Sequence, residues 1–290
     1  NPISFEKLNT YVNAHSEMVE VTTLSGAFEE HVGTISRLLG TDPAFLFVDP
    51  TGWKGAGMQH IAPLARPPRR DVMINLMFDH MNRFINDEQD FLRQQLREFF
   101  GLDEADLPQG LDERGLLRFY REQLHRVCDL PHVGNLLIPI PTADRTKFHL
   151  VVGGHHSEVL KLFRDVERKV CGVEAASVRA AAKDRKREER SKNLTLLPSP
   201  TPPTDNLYDA RREADLEEFK SLLPKRLQKS GRLKVEALWP RVLATYHFTF
   251  SDFKNAVTAL FKAGVINIPT WRKRQRKVRD SDELEIAPPE

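Results

Sequence analysis

The stretch on which the fold turns is Ala44-Phe45-Leu46-Phe47-Val48-Asp49-Pro50-Thr51-Gly52-Trp53-Lys54-Gly55. Its apolar opening, 44–48, runs straight into an aspartate, a proline and a turn. A short continuous apolar run bounded by turn signals predicts a strand buried on both faces, as in a parallel sheet. In open α/β sheets, ligands gather outside the carboxyl ends of such strands, so Asp49 stands where chemistry is usually done.

Working outward, 58–65 reads as a short helix closed by Arg66-Pro67-Pro68, and 71–77 as a second buried-type strand ending near Asn75. Upstream, 27–39 carries Phe28, Val32, Ile35, Leu38 and Leu39 at helical spacing. The segment 18–22 reads as a strand and 5–13 as a short helix. Helical periodicity returns over 87–100 and 111–129. The runs 135–141 and 147–152 then pair as a hairpin, and Pro139 and Pro141 mark its first strand as an edge or early-ending strand. An amphipathic helix over 157–171 follows, with Val159, Leu160, Leu162, Phe163, Val166 and Val170 as its apolar residues. Strands alternating with helices predict a three-layer α/β sheet. The closing antiparallel hairpin points, by fold analogy, to the mixed sheet of Rossmann-like methyltransferases.

From 183 to 192 the chain is densely charged, and Pro198-Ser199-Pro200-Thr201-Pro202-Pro203 is an extended linker. Beyond it, helices are expected over 209–228, 234–244 (with an interruption at Pro240) and 251–262, with Gly264 at the C-cap. Strands at 265–268 and 283–286 complete the order of a winged helix. The division is an α/β domain over 1–178, a charged and Pro-rich linker over 179–206, and a winged-helix domain over 207–290.

The 290 residues are 40% hydrophobic and 29% charged with a net charge of +2, an ordinary globular composition that excludes a uniformly basic nucleic-acid coat. Two cysteines, Cys128 and Cys171, exclude a disulfide framework and a Cys-rich metal site, and both read as buried apolar fillers. There is no 18-residue apolar run and no signal peptide, so the expectation is a soluble cytoplasmic protein without a membrane partner.

Phe47-Val48-Asp49-Pro50 with Gly52 and Lys54-Gly55, then 71–75, then Phe148-His149-Leu150-Val151-Val152, together resemble the three-Cys-motif partner protein family, and the helical tail is similar to that family's winged-helix extension. The resemblance covers most of the chain. It implies a Rossmann-like, S-adenosylmethionine-dependent methyltransferase and a partner resembling a radical-SAM iron–sulfur protein with a three-cysteine motif. This sequence departs from the pattern in one respect. The opening strand, its glycine-rich turn for the cofactor and the acidic residue for the ribose are missing, so the expectation is an N-terminal truncation just after that acid, with the first strands lacking.

Methyltransferases acting on exocyclic amines use an acidic or amide residue followed by proline and an aromatic to hold the amine and stack the base. Asp49 and Pro50 match the start of that motif. Thr51 and Gly52 depart from it, and Trp53 comes one residue late. Asp49 and Pro50 are the candidate catalytic pair, with Trp53 and Asn75 as substrate contacts; the alternative is that Asp49-Pro50 only ends a strand and caps a turn. Arg272 to Arg279 holds six cations in eight residues where a wing tip would lie. The preceding helix would expose Ser251, Lys254, Asn255, Thr258 and Lys262 to a major groove. Nucleic-acid contacts are therefore assigned to Lys254, Asn255, Lys262, Arg272, Lys273, Arg274, Arg276 and Lys277, against the alternative of a solvated or protein-binding wing. His149, His155 and His156 read as turn and surface histidines. The rival to a nucleobase methyltransferase is a non-catalytic partner of the iron–sulfur protein.

Overall fold

A computed structural model describes residues 2–15, 19–50, 56–77, 89–102, 110–139, 146–172, 181–182, 184–187 and 207–288. Trp53, the hairpin turn at 140–145 and the Pro-rich linker lie outside the described residues. The first part of the chain runs α1 (Pro2–His15), α2 (Phe28–Leu39), β1 (Ala44–Val48), α3 (Met58–Ala65), β2 (Arg70–Leu76), α4 (Asp90–Phe100), α5 (Glu113–Cys128), β3 (His132–Pro139), β4 (Thr146–Gly154) and α6 (Glu158–Cys171). The second part runs α7 (Leu207–Ser230), β5 (Leu233–Lys234), α8 (Val235–Thr245), α9 (Phe250–Lys262), β6 (Ile266–Asn267) and β7 (Glu283–Ile286). None of the described helices is long and apolar enough to cross a membrane.

The first sheet is mixed, with strand order β1-β2-β4-β3. β1 and β2 run parallel, Ala44 opposite Arg70 and Val48 opposite Ile74. β4 is antiparallel to both β2 and β3, so β3 shares the direction of β2. β3 lies at the margin of the sheet, where proline is tolerated, and its register with β4 shifts between Ile138 and Pro139.

The two faces are covered differently. Val72, Ile74, Leu76, Val133 and Val151 face α3, α4 and α5, in a core that includes Phe99, Phe100 and Tyr120. Burying each such large apolar side chain contributes about 1.5–3 kcal/mol. The opposite face, with Leu136 and Val152, meets Leu160 and Phe163 of α6 and, in the same apolar cluster, Phe219, Trp239 and Phe253 of the C-terminal helices. Gly134 permits that approach, because a Cβ there would stand 3.0 Å from Leu160 Cδ2.

Several expectations are corrected here. β1 is not buried on both faces: Leu46 and Val48 pack on the first core, but Phe45 is 60% and Phe47 57% exposed. Among the described residues β1 pairs only with β2, at one edge of the sheet. Residues 19–22 form no strand, because their alternation finds no partner strand among the described residues, and Val19 and Val21 stay exposed. Helix α6 buries Leu160, Phe163, Arg164 and Glu167, an i, i+3, i+4, i+7 stripe, while Leu162, Val166 and Val170 are exposed. Helix α8 runs through Pro240 without a break. Its flanking Trp239, Val242 and Leu243 are buried, and that packing outweighs the one lost backbone hydrogen bond.

In the C-terminal part, β7 lies between β5 and β6 and is antiparallel to both. Strand β5, only two residues long, left no trace in the sequence pattern. Helix α9 begins in a capping box, in which Thr249 and Asp252 each accept the other's backbone N–H. Gly264, at φ +70°, follows its last turn, and the Val265 N–H closes back onto the Leu260 carbonyl.

Candidate functional site

Parallel pairing brings the carboxyl ends of β1 and β2 side by side. Val48 stands opposite Ile74, so the next residues along each strand, Asp49 and Asn75, are neighbours. Asn75 Nδ2 donates to Asp49 Oδ1 at 2.6 Å. The other amide atom, Asn75 Oδ1, is shielded from solvent and accepts no hydrogen bond among the described residues. Asp49 is exposed and Pro50 half-buried. The Asp49 carboxylate, held by the Asn75 amide, thus presents an oxygen acceptor at the end of the sheet, an arrangement suited to an N–H donor such as an amine.

His149 belongs to the same end of the sheet but to the opposite face, since it pairs with Leu76 while Leu150 pairs with Asn75. It is no surface histidine, being 2% exposed. Its Nε2 donates to Glu113 Oε1 of α5 at 2.9 Å. Burial lowers the His149 pKa, against the opposing pull of Glu113. Sequence reading missed this pair because its members lie on different elements. Cys128 is buried and Cys171 intermediate. Among the described residues no group of three or more His, Cys, Asp or Glu is placed to hold a metal ion.

The second candidate surface is α9 with the loop from 269 to 282. Ser251, Asn255 and Lys262 are exposed on α9. Lys254 is half-buried, its ammonium 4.7 Å from the centre of the Phe250 ring. Thr258 does not face outward: it is 6% exposed, donates to the Lys254 carbonyl at 2.7 Å and accepts the Val278 N–H at 3.2 Å. It therefore ties the loop to the helix.

The loop is braced from within by Asp282, which is 0% exposed. Its carboxylate accepts from Gln275 Nε2 at 2.5 Å, the Arg279 backbone N–H at 2.8 Å, the Arg279 guanidinium at 3.1 Å and Thr270 Oγ1 at 3.2 Å. Burial works to raise the Asp282 pKa, but these donors outweigh it and the carboxyl is held below the ordinary range. Trp271 packs on Phe261 with ring centres 4.6 Å apart. Arg279 is thus spent on internal structure, whereas Arg272, Lys273, Arg274, Arg276 and Lys277 all project into solvent. Among the described residues none of these five makes an ion pair with a carboxylate.

No family model matches the sequence, and neither a curated protein nor a solved structure matches it.

Proposed function

We propose that this chain is a methyltransferase-like protein with a nucleic-acid-binding winged helix, its sheet offering Asp49, Pro50 and Asn75 to a nucleobase amine. The observation that carries the reading is the internally braced loop that holds five unpaired cations out to solvent beside the exposed residues of α9. Cations presented in this way suit a row of phosphates, and displaced counterions would make the binding salt-dependent. The succession α7-β5-α8-α9-β6-β7, with β7 central in its sheet, supports the winged-helix reading. The order β1-β2-β4-β3, with antiparallel β4 set between strands of common direction, supports a Rossmann-like sheet of the methyltransferase type.

S-adenosylmethionine would supply the methyl group as an electrophile bound to sulfonium sulfur. The exposed Asp49 carboxylate fits a hydrogen of the accepting amine, orienting its lone pair, and the Asn75 amide positions that carboxylate. The first test is duplex binding followed by fluorescence anisotropy over a range of salt. Replacing Arg272, Lys273, Arg274, Arg276 and Lys277 with Gln should weaken affinity for every sequence and lower the slope of log affinity on log salt by about 4.5. Unchanged affinity would reject the loop as the contact. For the sheet, Asp49→Ala should abolish methyl transfer while costing only about 1 kcal/mol of stability, because it removes one exposed hydrogen bond. Transfer at the original rate would remove Asp49 from the chemistry.

The exposed Phe45 and Phe47 on marginal strand β1 favour a second reading, a non-catalytic partner of a three-cysteine-motif iron–sulfur protein. Calorimetric titration separates the two. Heat on adding S-adenosylmethionine or its demethylated product supports the methyltransferase, and silence with both supports the partner.

A further inference from the structure

A cleft of about 1290 Å³ is lined by α5, the start of β3, α7 and α8, and none of its lining residues belongs to the Asp49–Asn75 pair, to α9 or to the 269–282 loop. One wall carries Arg114, Arg118 and Arg121 of α5, spaced i, i+4 and i+7 and therefore on one helix face. At 1.5 Å rise per residue, their origins step along the wall by about 6 and then about 4.5 Å. Arg211 of α7 also lines the cleft, close enough to Arg114 for their charges to repel.

None of these four guanidiniums has a hydrogen bond or ion pair among the described residues, and Arg121 Nε is both buried and without a partner. Arg121 is the most strained of them. Burial and then the charge of buried Arg164, with a smaller part from Arg118 and against the pull of Glu122, lower its pKa to about 10. Of the carboxylates in the cleft, Asp215 accepts the His247 N–H at 2.7 Å and its charge attracts Arg211 without a direct ion pair. The others, Glu122, Glu218 and Glu236, are exposed. Asp215 and Glu167 partly offset Arg211 and Glu122 partly offsets Arg121, but among the described residues no carboxylate pairs directly with any of the four guanidiniums, and like charges gathered in a concavity oppose the folded state. An anionic occupant supplies the missing counter-charge.

We propose that this cleft binds a short single-stranded segment of nucleic acid, its phosphates on Arg114, Arg118, Arg121 and Arg211 and its bases over the apolar floor. Several separate cations in a row suit successive phosphates better than one isolated anion. The volume exceeds the roughly 300–1,000 Å³ of ordinary small-molecule pockets. Leu117, Pro131, Pro240 and Tyr246 supply apolar surface on which bases can rest. The inference rests on the nucleic-acid reading but uses a different surface. One element would hold duplex while the cleft holds a strand led away from it.

The test measures anisotropy with labelled oligo-dT of about 12 nucleotides, and with a duplex, on the full chain. Three proteins are compared: the native protein, an Arg114→Gln/Arg118→Gln/Arg121→Gln variant, and the five-cation loop variant. The cleft variant should bind oligo-dT at least 10-fold more weakly, with the salt slope lowered by about 2, and bind duplex as before. Arg114→Gln/Arg118→Gln, confined to exposed side chains, shows the same direction if the triple variant fails to fold. Unchanged oligo-dT affinity in a folded cleft variant overturns the cleft proposal and leaves the loop reading standing. Loss of oligo-dT binding in the cleft variant, with full duplex binding in the loop variant, sinks the loop reading and supports the cleft. Displacement of oligo-dT by an equal concentration of inorganic tripolyphosphate overturns the single-strand assignment, since a compact phosphate would then suffice.

Discussion

Arg164, Glu167 and His247 form a buried charged cluster that joins α6 to the segment after α8. Arg164 Nη1 donates to Glu167 Oε2 at 2.5 Å and to the Asn135 carbonyl at 2.9 Å, while Nε donates to the Leu243 carbonyl at 2.9 Å. His247 Nδ1 donates to Glu167 Oε1 at 2.7 Å. Burial pushes the Glu167 carboxyl up, but Arg164 and His247 outweigh it and bring it down to about 2. Burial lowers His247, the Arg164 charge adds to that, and its pKa falls to about 4. Both groups therefore hold fewer protons folded than unfolded, and acid must destabilise the fold. The His247 contribution is complete above its ordinary 6.5 and is lost as pH falls towards 4, about 3 kcal/mol in all. Glu167 adds a further loss below its ordinary 4.5. Urea unfolding midpoints measured from about pH 7 down to about pH 4 should fall accordingly. His247→Asn, whose amide can still donate to Glu167, should flatten that fall, and Glu167→Ala should cost about 3–5 kcal/mol by leaving Arg164 without its counter-charge. A pH-independent midpoint would contradict this account. At this scale, the positions of Asp49, just past β1, and of Asn75, near the end of β2, were legible because strand ends are readable. The pair Glu167 and His247 was not, since its members lie 80 residues apart and only folding joins them.

An element is readable when its pattern is long: α2 spans nearly the whole 27–39 stretch of helical spacing, although Leu38 on that stripe is exposed. Failures came where a pattern was short or two faces competed. Strand β5 is two residues long, below any periodic signal. Helix α6 offered one stripe that was wholly apolar and another that contained Arg164 and Glu167, and the structure buries the second because its charges are paired. β1 alternates in burial although its sequence does not alternate in polarity, because its neighbours cover only one face. Helix α9 depends on its first turn. Asp252 accepts the Thr249 N–H at 3.0 Å and the Arg212 Nε–H at 2.9 Å, so one carboxylate both caps α9 and anchors α7. Asp252→Ala should lower stability by about 2–3 kcal/mol, the sum of a lost cap and a stranded partner charge. Thr249→Ser, which keeps the hydroxyl acceptor, should change it by only a few tenths, roughly 0.3 kcal/mol. Thermal unfolding followed by circular dichroism checks both, and equal losses would show that packing rather than capping sets the helix start.

At the scale of the molecule, the chain order and the packing divide the protein differently. Along the chain, a Pro-rich segment separates an α/β part from a helical part. In space, one apolar cluster runs from Leu136 and Val152 of the sheet through Leu160 and Phe163 of α6 into Phe219, Leu238, Trp239 and Phe253. Lys161 bridges the same boundary, its ammonium 4.2 Å from the centre of the Trp239 ring, and the Arg164 cluster lies alongside. None of this was legible in the sequence, where the linker's composition is the strongest signal and the contacts beneath it leave no periodic mark. The consequence is cooperativity. If the C-terminal helices opened alone, Leu136 and Val152 of the sheet and Phe163 of α6 would be exposed and Arg164 would lose its Leu243 partner, so partial unfolding is costly. Scanning calorimetry should therefore give one transition whose calorimetric and van't Hoff enthalpies agree. Phe163→Ala, at the centre of the shared cluster, should cost about 3–5 kcal/mol and lower that transition without splitting it. Two resolved transitions, with Phe163→Ala moving only one, would mean that the sheet and the C-terminal helices are stabilised independently and that the shared cluster contributes little to either.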